Sequence, residues 1–437
     1  MRYFIGAIIL ITLFFSAFFV LSSKKTFEVN NPAANGDELN LPDIPEATAP
    51  AGSSTPLIKK ISDIEPQKPL ANPPEEIKAV YFTGWSAGSS KKIDYLLNLA
   101  KETEINAVVI DIKDYSGYVA YDIKLAEAEE YKAKEIKILR LNALIKKLHD
   151  ENIYVIARIT IFQDPILAKA RPDLAIHSKA KCQMSDVKCQ MSSSTLWLDH
   201  KGLAWIDPAA EEAWDYNIAI AKDAASRGFD ELNFDYIRFA SDGNLNDMVF
   251  PFWDKKTKKS ETIKNFFEKL REELENVKIS ADLFGLSTIN NDDLGIGQVI
   301  EDAYAYFDYV SPMVYPSHYA SGFLGYKNPA QYPYEVVKYS IENALRRLTD
   351  YGLPITATST GNEILTTNYQ LLTTKIRPWL QNFNLGAKYT AETVNKQIQA
   401  VYDAASSTPE LINGWMLWNP SNIYNVPTST STILRSD

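Results

Sequence analysis

From Lys78 onward, short apolar segments rich in β-branched residues alternate with amphipathic helical segments, and this alternation constrains the fold most. Strands are predicted at 78–84, 107–112, 153–161, 231–236, 278–284, 309–315, 378–383 and 414–418. Helices are predicted near 90–103, 137–150, 210–227, 260–275, 298–306, 334–349 and 391–405. This alternation over about 350 residues predicts a (β/α)₈ TIM barrel. A doubly wound open sheet would carry a G-x-G-x-x-G turn after its first strand, and TGWSAGSS lacks that spacing.

The N-terminus carries a long apolar run. Residues 3–21 read YFIGAIILITLFFSAFFVL without a charge, close to the roughly 20 residues that cross a bilayer as a helix. A cleavable signal peptide has a shorter apolar core and a small-x-small cleavage site. Residues 1–25 are therefore predicted to form an uncleaved signal anchor, a transmembrane helix. Arg2 lies before the run and Lys24 and Lys25 after it, so the positive-inside rule does not decide the orientation.

A Pro-, Ala- and Ser-rich segment follows at 26–77, with no helical or strand period. Chain of this kind buries too little apolar surface to fold and forms a semi-extended spacer. The predicted order is therefore an anchor, a disordered linker at 26–77, a barrel domain at 78–425 and a C-terminal tail at 426–437. This order favours a membrane-anchored protein whose barrel lies on the extracytoplasmic side.

Composition excludes several classes of function. The formal net charge is −10 and the pI about 5.2. These values argue against a nucleic-acid partner, because proteins that bind nucleic acids carry clustered Lys and Arg that neutralise phosphates. There are 4 His, and no H-x-H or H-E-x-x-H motif is present, so no metal site is predicted. No G-x-S-x-G elbow or phosphate loop occurs, and no cofactor is predicted.

The two cysteines, Cys182 and Cys189, lie in one segment that repeats Cys-Gln-Met-Ser. In an oxidising compartment a short-loop disulfide between them is the preferred interpretation. Two free thiols in a surface loop remain the alternative.

Candidate catalytic residues lie in two predicted strands that are adjacent in the chain. Asp235 and Asp282 interrupt otherwise apolar runs, where a carboxylate is costly unless it is paired or hydrogen-bonded. Two carboxyl groups flanking a bond are what glycoside hydrolysis requires. The structural alternatives are a buried salt bridge from Asp235 to Arg158 or Arg238, and a loop-capping role for Asp282. Arg238 is also a candidate for keeping one carboxylate ionised.

Other polar and aromatic residues lie at or just after strand ends, where barrel active sites form. The candidates for contacts with substrate are Trp85, Asp111, Lys113, Arg158, Asn233, Arg238, Tyr315, His318, Gln381, Trp418 and Asn419. For Asp111 the alternative is a charge pair with Lys113. The aromatic residues have barrel-mouth packing as their alternative role, and His318 that of a satisfied loop residue.

Several runs, in order, resemble a bacterial family of membrane-anchored glycoside hydrolase domains with a TIM-barrel fold. They include AVYFTGWSAG, NAVVIDIKDYSGYVAY, GFDELNFDYIRFASDG, ISADLFGL, YVSPMVYPSHY and GWMLWNPSN, and they span about 78–422. More remotely, an aspartate in the fourth strand followed by an acid in the fifth is similar to the alpha-amylase superfamily. That resemblance implies a nucleophilic role for Asp235. The superfamily has a glutamate where this chain has Asp282.

The resemblance implies a glycoside hydrolase that cleaves a cell-wall or surface polysaccharide, or its oligosaccharides, by paired-carboxylate chemistry. The alternative is a non-catalytic carbohydrate-binding or wall-associated barrel. An amidase or deacetylase would need a metal or nucleophile that the sequence does not offer. The sequence contains no signal for an oligomeric state.

Overall fold

The computed structural model describes residues 62–183, 191–352 and 373–427. The predicted anchor, residues 26–61 of the predicted linker, Cys189 and most of the C-terminal tail lie outside these ranges. Within them, no helix has the length and apolar character needed to cross a membrane.

Parallel strands close into a barrel, as predicted. In the described residues the eight barrel strands are β1 Ile77–Phe82, β2 Ala107–Lys113, β3 Tyr154–Thr160, β4 Glu231–Asp235, β5 Ile279–Phe284, β6 Tyr309–Met313, β7 Trp379–Gln381 and β8 Gly414–Trp418. Each pairs in parallel with its neighbour in the chain, and β1 pairs with both β2 and β8. The sheet therefore has no free edge, which confirms the TIM barrel over the open sheet.

Helices connect these strands. They are α1 Ser90–Glu102, α2 Leu141–His149, α3 Glu211–Arg227, α4 Lys259–Glu273, α5 Ile300–Tyr304, α6 Pro333–Gly352 and α7 Ala391–Ala404. Short helices lie at Gly84–Ala87, Ala126–Glu130, Pro165–Ala170 and Lys179–Gln183. Short strands lie at Val119–Tyr121, Lys134–Ile138, His177–Ser178, Met248–Val249 and Lys375–Ile376. The apolar stripe of α2 is buried as its helical spacing predicts, at Leu141, Leu144, Ile145 and Leu148.

Alternation along each strand separates two apolar clusters. On β1, Val80 and Phe82 belong to the large cluster that includes the helices, whereas Ala79 and Tyr81 belong to a second cluster inside the barrel. Successive strand residues point to opposite faces, so one strand contributes side chains to both clusters. The same alternation turns every second residue of the other strands inward, and near the ends of β2, β3, β4 and β5 those residues include charged side chains.

Residues 62–76, which the sequence placed in the linker, follow a defined path from the start of α2 to the N-terminal end of β4, where Leu70 packs against the interior cluster; we call them the strap. The side chain of Asp63 accepts hydrogen bonds from the backbone N–H groups of Asn142 (2.8 Å) and Ala143 (3.1 Å) at the start of α2. Farther along, Leu70 N donates to Asp230 (2.6 Å). Residues 62–76 are therefore bound to the folded domain by these contacts.

Asp63 supplies the helix cap that α2 lacks locally, because Arg140, the residue before the helix, makes no side-chain capping bond. We expect Asp63→Ala to lower the free energy of unfolding by about 1 kcal/mol, the usual cost of losing an N-cap. Urea denaturation of a chain that begins at Ser62 measures this. Asp150→Ala, which removes an exposed ion pair at the other end of α2, is the matched control and should change little. Equal losses in both variants would contradict the capping role.

Candidate active site

Four inward-pointing residues form a polar layer at the C-terminal ends of neighbouring strands. Asp111 lies on β2, Arg158 on β3, Asp235 on β4 and Asp282 on β5, and all four are buried. Strand pairing sets Asp111 directly opposite Arg158. Parallel strands end on the same side of a barrel, so residues far apart in sequence meet here.

The guanidinium of Arg158 lies at the centre of this layer. Its Nη1 lies 2.5 Å from an oxygen of Asp111, and its Nη2 donates to Asp235 Oδ2. Its Nε lies 3.7 Å from Asp282 Oδ2. One cation thus faces three carboxyl groups, so full ionisation would leave the layer with a net negative charge. The buried Asp235–Arg158 salt bridge, raised above as the structural alternative, is present within this layer.

Asp111 and Arg158 pack against aromatic rings. The hydroxyl of Tyr81 donates to Asp111 Oδ2, and the ring of Tyr81 stacks on Trp418 with centroids 3.8 Å apart. The Arg158 guanidinium lies 5.1 Å from the Trp418 centroid, within cation–π range. Burial raises the pKa of Asp111 to about 6, against the opposing effect of Arg158.

Asp282 is held by two neutral donors. Asn233 Nδ2 and Trp379 Nε1 each donate to its Oδ1 at 2.8 Å. Burial raises the pKa of Asp282 well above its usual range; the charge of Asp235 adds to this, and Arg158 opposes it. Asp282 therefore keeps its proton at pH values where an ordinary aspartate has lost it. Asn233, a candidate for contact with substrate, positions this carboxyl group.

Strained backbone follows Asp235 directly. Tyr236 has φ = 53°, in the left-handed region that bulky residues rarely adopt. Its backbone N–H donates to Asp235 Oδ1 at 2.5 Å. Asp235 thus accepts from a fixed backbone donor on one oxygen and from Arg158 on the other. Local strain of this kind, held in place by its surroundings, is concentrated at functional sites.

Arg238 does not pair with Asp235. Its guanidinium lies 4.7 Å from the centroid of Phe284 and donates to Ser241 Oγ at 3.1 Å, and burial lowers its pKa. Arg158, and not Arg238, therefore forms the salt bridge with Asp235, while Arg238 interacts with Asp235 only through its charge.

The ammonium of Lys113 is also directed away from the polar layer. It lies 2.8 Å from Asp164 Oδ2 and donates to the backbone oxygen of Thr160 at 2.6 Å, and the side chains of Lys113 and Asp164 are completely buried. The predicted alternative, a pair between Lys113 and Asp111, is replaced by this contact. Lys113 therefore stabilises the β2 and β3 ends and does not line the mouth.

Two more candidates, Gln381 and Asn419, bond to neighbouring loops. Gln381 Oε1 accepts from Ser317 N at 3.1 Å, and Asn419 Nδ2 donates to the backbone oxygen of Asn382 at 2.6 Å. Intramolecular partners thus occupy both side chains, and both residues are buried.

Exposed aromatic residues border the mouth on one side. Trp85, just after β1, is 63% exposed and Tyr115, just after β2, is 53% exposed. After β6, the rings of Tyr315 and His318 meet edge to face, with Phe383 beside them. Burial lowers the pKa of His318 to about 4, so it is neutral at physiological pH. Trp85 and Tyr115 are thus accessible to a ligand, whereas Tyr315 is buried.

Sequence reasoning missed Tyr81, Trp379 and Tyr236. Tyr81 and Trp379 lie on the inward face of their strands. The alternation of inward and outward side chains along β1 and β7 could therefore have identified them. No sequence signal marks the left-handed backbone at Tyr236.

Among the residues described, no group of three or more His, Cys, Asp and Glu side chains is arranged to hold a metal ion. Cys182 is buried at the end of a short helix, whereas Cys189 lies outside the described ranges. The disulfide between them stays a prediction.

A closed parallel barrel with paired aspartates at the ends of neighbouring strands is the arrangement of a glycoside hydrolase. The chain matches the family described as "Putative glycosyl hydrolase domain" over residues 79–424, and it belongs to that family. The resemblance inferred from the sequence is thereby confirmed. A search of curated proteins gave no match.

Solved structures with similar folds include glycoside hydrolases. The PgaB (BpsB) glycoside hydrolase domain of Bordetella bronchiseptica is 12% identical, with a TM-score of 0.51, over 79% of this chain and 94% of that one. A hypothetical protein of Ruminiclostridium thermocellum is 36% identical over 49% of this chain and 98% of its own, with a TM-score of 0.40. The PelA glycoside hydrolase domain of Pseudomonas aeruginosa is 10% identical over 80% of this chain and 99% of that one, with a TM-score of 0.37. At these identities the likeness to PgaB supports the fold alone.

Proposed function

We propose that the barrel hydrolyses glycosidic bonds of a cell-wall or surface polysaccharide, with Asp235 and Asp282 as its catalytic residues. One observation carries the proposal: aspartates on adjacent strands meet at a single arginine, one bonded to it directly and the other held by two neutral donors. Asp235 is ion-paired with Arg158, whereas the pKa of Asp282 is raised. Two carboxyl groups with different protonation are what acid/base glycosidase chemistry needs.

In the proposed reaction, the Asp282 carboxyl group donates its proton to the glycosidic oxygen as the C–O bond to the leaving sugar breaks. Asp235 either attacks the anomeric carbon or takes a proton from an attacking water. In the first case water then hydrolyses the glycosyl ester and returns the proton to Asp282. Arg158 and the Tyr236 N–H hold the Asp235 carboxylate in place. NMR detection of the first anomer released separates the two routes.

A proton donor with a raised pKa gives activity a definite pH dependence. Activity should fall as the pH rises through the pKa of Asp282, since the carboxyl group then loses the proton that it must donate. Asp282→Asn should remove this alkaline limb and retain most activity on an aryl glycoside, whose leaving group needs little protonation. Profiles of kcat/KM against pH for both proteins test this. An alkaline limb that persists in Asp282→Asn would exclude Asp282 as the acid.

The function itself is tested by product analysis. The chain from Ser62 is incubated with purified bacterial wall and surface polysaccharides, and new reducing ends are measured. Release by the wild type and not by Asp235→Asn is the expected result. Turnover equal in the two proteins would overturn the assignment of Asp235.

A second candidate, a carbohydrate-binding barrel without turnover, is favoured by the low accessibility of Asp282, which is 1% exposed. A catalytic acid must touch its substrate, so this carboxyl group has to become accessible when a sugar binds. The binding-only function predicts polysaccharide affinity without new reducing ends, and an affinity that depends on Trp85 more than on the aspartates.

We also propose that residues 1–25 anchor the protein in a membrane, with the barrel on the extracytoplasmic side. The uncharged run at 3–21 and the Pro-rich segment after it support this. Full-length protein should stay in the membrane fraction after alkaline carbonate extraction, and external protease should reach the barrel in spheroplasts. Release into the soluble fraction would contradict the anchor.

A further inference from the structure

A groove of about 550 Å³ lies outside the polar layer, between the beginnings of α6 and α7. One wall is formed by residues 330–335, at the end of the β6–α6 loop and the first turn of α6. The other is formed by Ala387 and Lys388 of the β7–α7 loop together with Thr393 and Lys396 of α7. Its volume falls within the usual range of ligand sites, roughly 300–1,000 Å³.

Contacts between the two loops hold the groove in shape. Asn328 Nδ2 donates to the backbone oxygen of Gly386 at 2.8 Å. The hydroxyl of Tyr389, which is buried, donates to the backbone oxygen of Ala330 at 3.1 Å. These bonds join the walls across more than fifty residues of sequence, so the groove is formed before any ligand arrives, which lowers the entropic cost of binding.

Its lining combines an aromatic ring with hydrogen-bonding side chains. Tyr332 is 38% exposed and is fixed by a parallel stack on Tyr326, with centroids 3.8 Å apart. Gln331, Glu335 and Lys388 line the same groove and supply donors and acceptors. A fixed ring with one polar end, surrounded by such groups, suits a sugar, which has an apolar face and a rim of hydroxyls.

The groove and the exposed aromatics after β1 and β2 lie on different sides of the mouth. Helices of this fold begin at the C-terminal ends of the strands, so the starts of α6 and α7 are on the same face as the polar layer. Strand order places β6 and β7 about three strands away from β1 and β2 around a barrel of eight. A chain running from Tyr332 to Trp85 would therefore cross the mouth above Arg158.

We infer that this groove binds sugar residues remote from the cleaved bond, and that the domain therefore acts within long polysaccharide chains. This inference rests on the proposed glycosidase function. A polymer can contact the groove and the other side of the mouth at once, and each contact increases its affinity. Once the first contact has formed, the second occurs within the same complex and costs less binding entropy. We expect a di- or trisaccharide bound over the polar layer to be too short to contact the groove as well, and therefore to gain no affinity from it.

Tyr332→Ala tests the inference, with Tyr351→Ala as the matched control. Tyr351 is an exposed tyrosine at the far end of α6, and its ring is tilted against that of Tyr304 with the centroids 6.1 Å apart. The substrate is the wall or surface polysaccharide that yields new reducing ends, used intact and as its trisaccharide. For the intact polymer, Tyr332→Ala should raise KM by roughly tenfold, which corresponds to about 1.4 kcal/mol, at unchanged kcat. Its trisaccharide kinetics and the whole behaviour of Tyr351→Ala should match the wild type.

If Tyr332→Ala has the same KM for the polymer as the wild type, the inference that the groove binds sugar is wrong. An equal loss on polymer and trisaccharide would also overturn it, since it would indicate a disturbed mouth. A binding measurement separates this inference from the proposed function: native gels containing the same polysaccharides retard each protein whether or not it cleaves. If the wild type is retarded but cleaves nothing, and Tyr332→Ala is retarded less, the groove is a binding site. The same result would reject the glycosidase function and cleavage within chains. Equal retardation of Tyr332→Ala and the wild type would reject the groove whatever the catalytic result.

Discussion

Asp235→Asn is expected to lower kcat by at least about 10³-fold, the scale of losing a catalytic carboxylate. The amide keeps the volume of the side chain, but it has neither the charge to stabilise a developing positive centre nor the basicity to take a proton. Stability should change little, since Arg158 keeps Asp111 as its partner at 2.5 Å. Reducing-end assays give the rate, and thermal unfolding gives the melting temperature.

Asp242→Asn is the matched control for Asp235→Asn. Asp242 lies on the loop after the same strand, and its Oδ1 accepts from His200 N at 3.1 Å, outside the polar layer. Its replacement should leave kcat within about twofold of the wild type, as expected for a residue that does not touch the reacting atoms. If Asp235→Asn retains wild-type kcat with an unchanged melting temperature, the catalytic role of Asp235 is falsified.

Arg158→Met is expected to have the largest effect on stability, because it leaves three buried carboxyl groups without their shared cation. Removing one partner of a buried ion pair costs about 3–5 kcal/mol. The loss should depend on pH in a known direction. Burial already raises the pKa of Asp111 to about 6, and without Arg158 its pKa and that of Asp282 should rise further. Groups with raised pKa stabilise the fold at low pH, and that contribution disappears as the pH rises.

The free energy of unfolding of Arg158→Met should therefore lie closer to that of the wild type at pH 5 than at pH 8. Arg158→Lys is the control, because it keeps the positive charge and lacks the planar fork that reaches several carboxylates at once. It should be intermediate in stability and reduced in turnover. If Arg158→Met loses the same free energy of unfolding at both pH values, the loss results from packing and not from charge.

Much of the barrel and part of the site could be predicted from sequence because both follow from periodic patterns. Each barrel strand is an apolar run of the usual length, so the start of β1 was predicted within one residue and both ends of β8 at their observed positions. Their positions in or at the ends of these strands then identified Asp111, Arg158, Asp235 and Asp282 as candidate site residues. Fold and candidate layer thus depend on local information.

Contacts between side chains that are far apart in the sequence could not be predicted in this way. Whether Arg158 or Arg238 meets Asp235 depends on side-chain direction across neighbouring strands, which the sequence does not encode locally. Lys113 was assigned to the mouth because it follows the strand predicted at 107–112, but its ammonium is directed toward Asp164 on another loop. The strap was interpreted as disordered because its composition is linker-like, and its bonds, such as that from Asp63 to α2, join residues about eighty positions apart.

The path of the strap also determines how the protein can be attached to a solid support. A chain entering at Ser62 reaches the barrel on its outer wall, beside the start of α2. The last described residues lie instead beside the mouth, where Asn425 bonds to Asn382 in the loop after β7. A bead or affinity tag joined before Ser62 would therefore crowd the start of α2, whereas one joined after Pro427 would crowd the loop after β7.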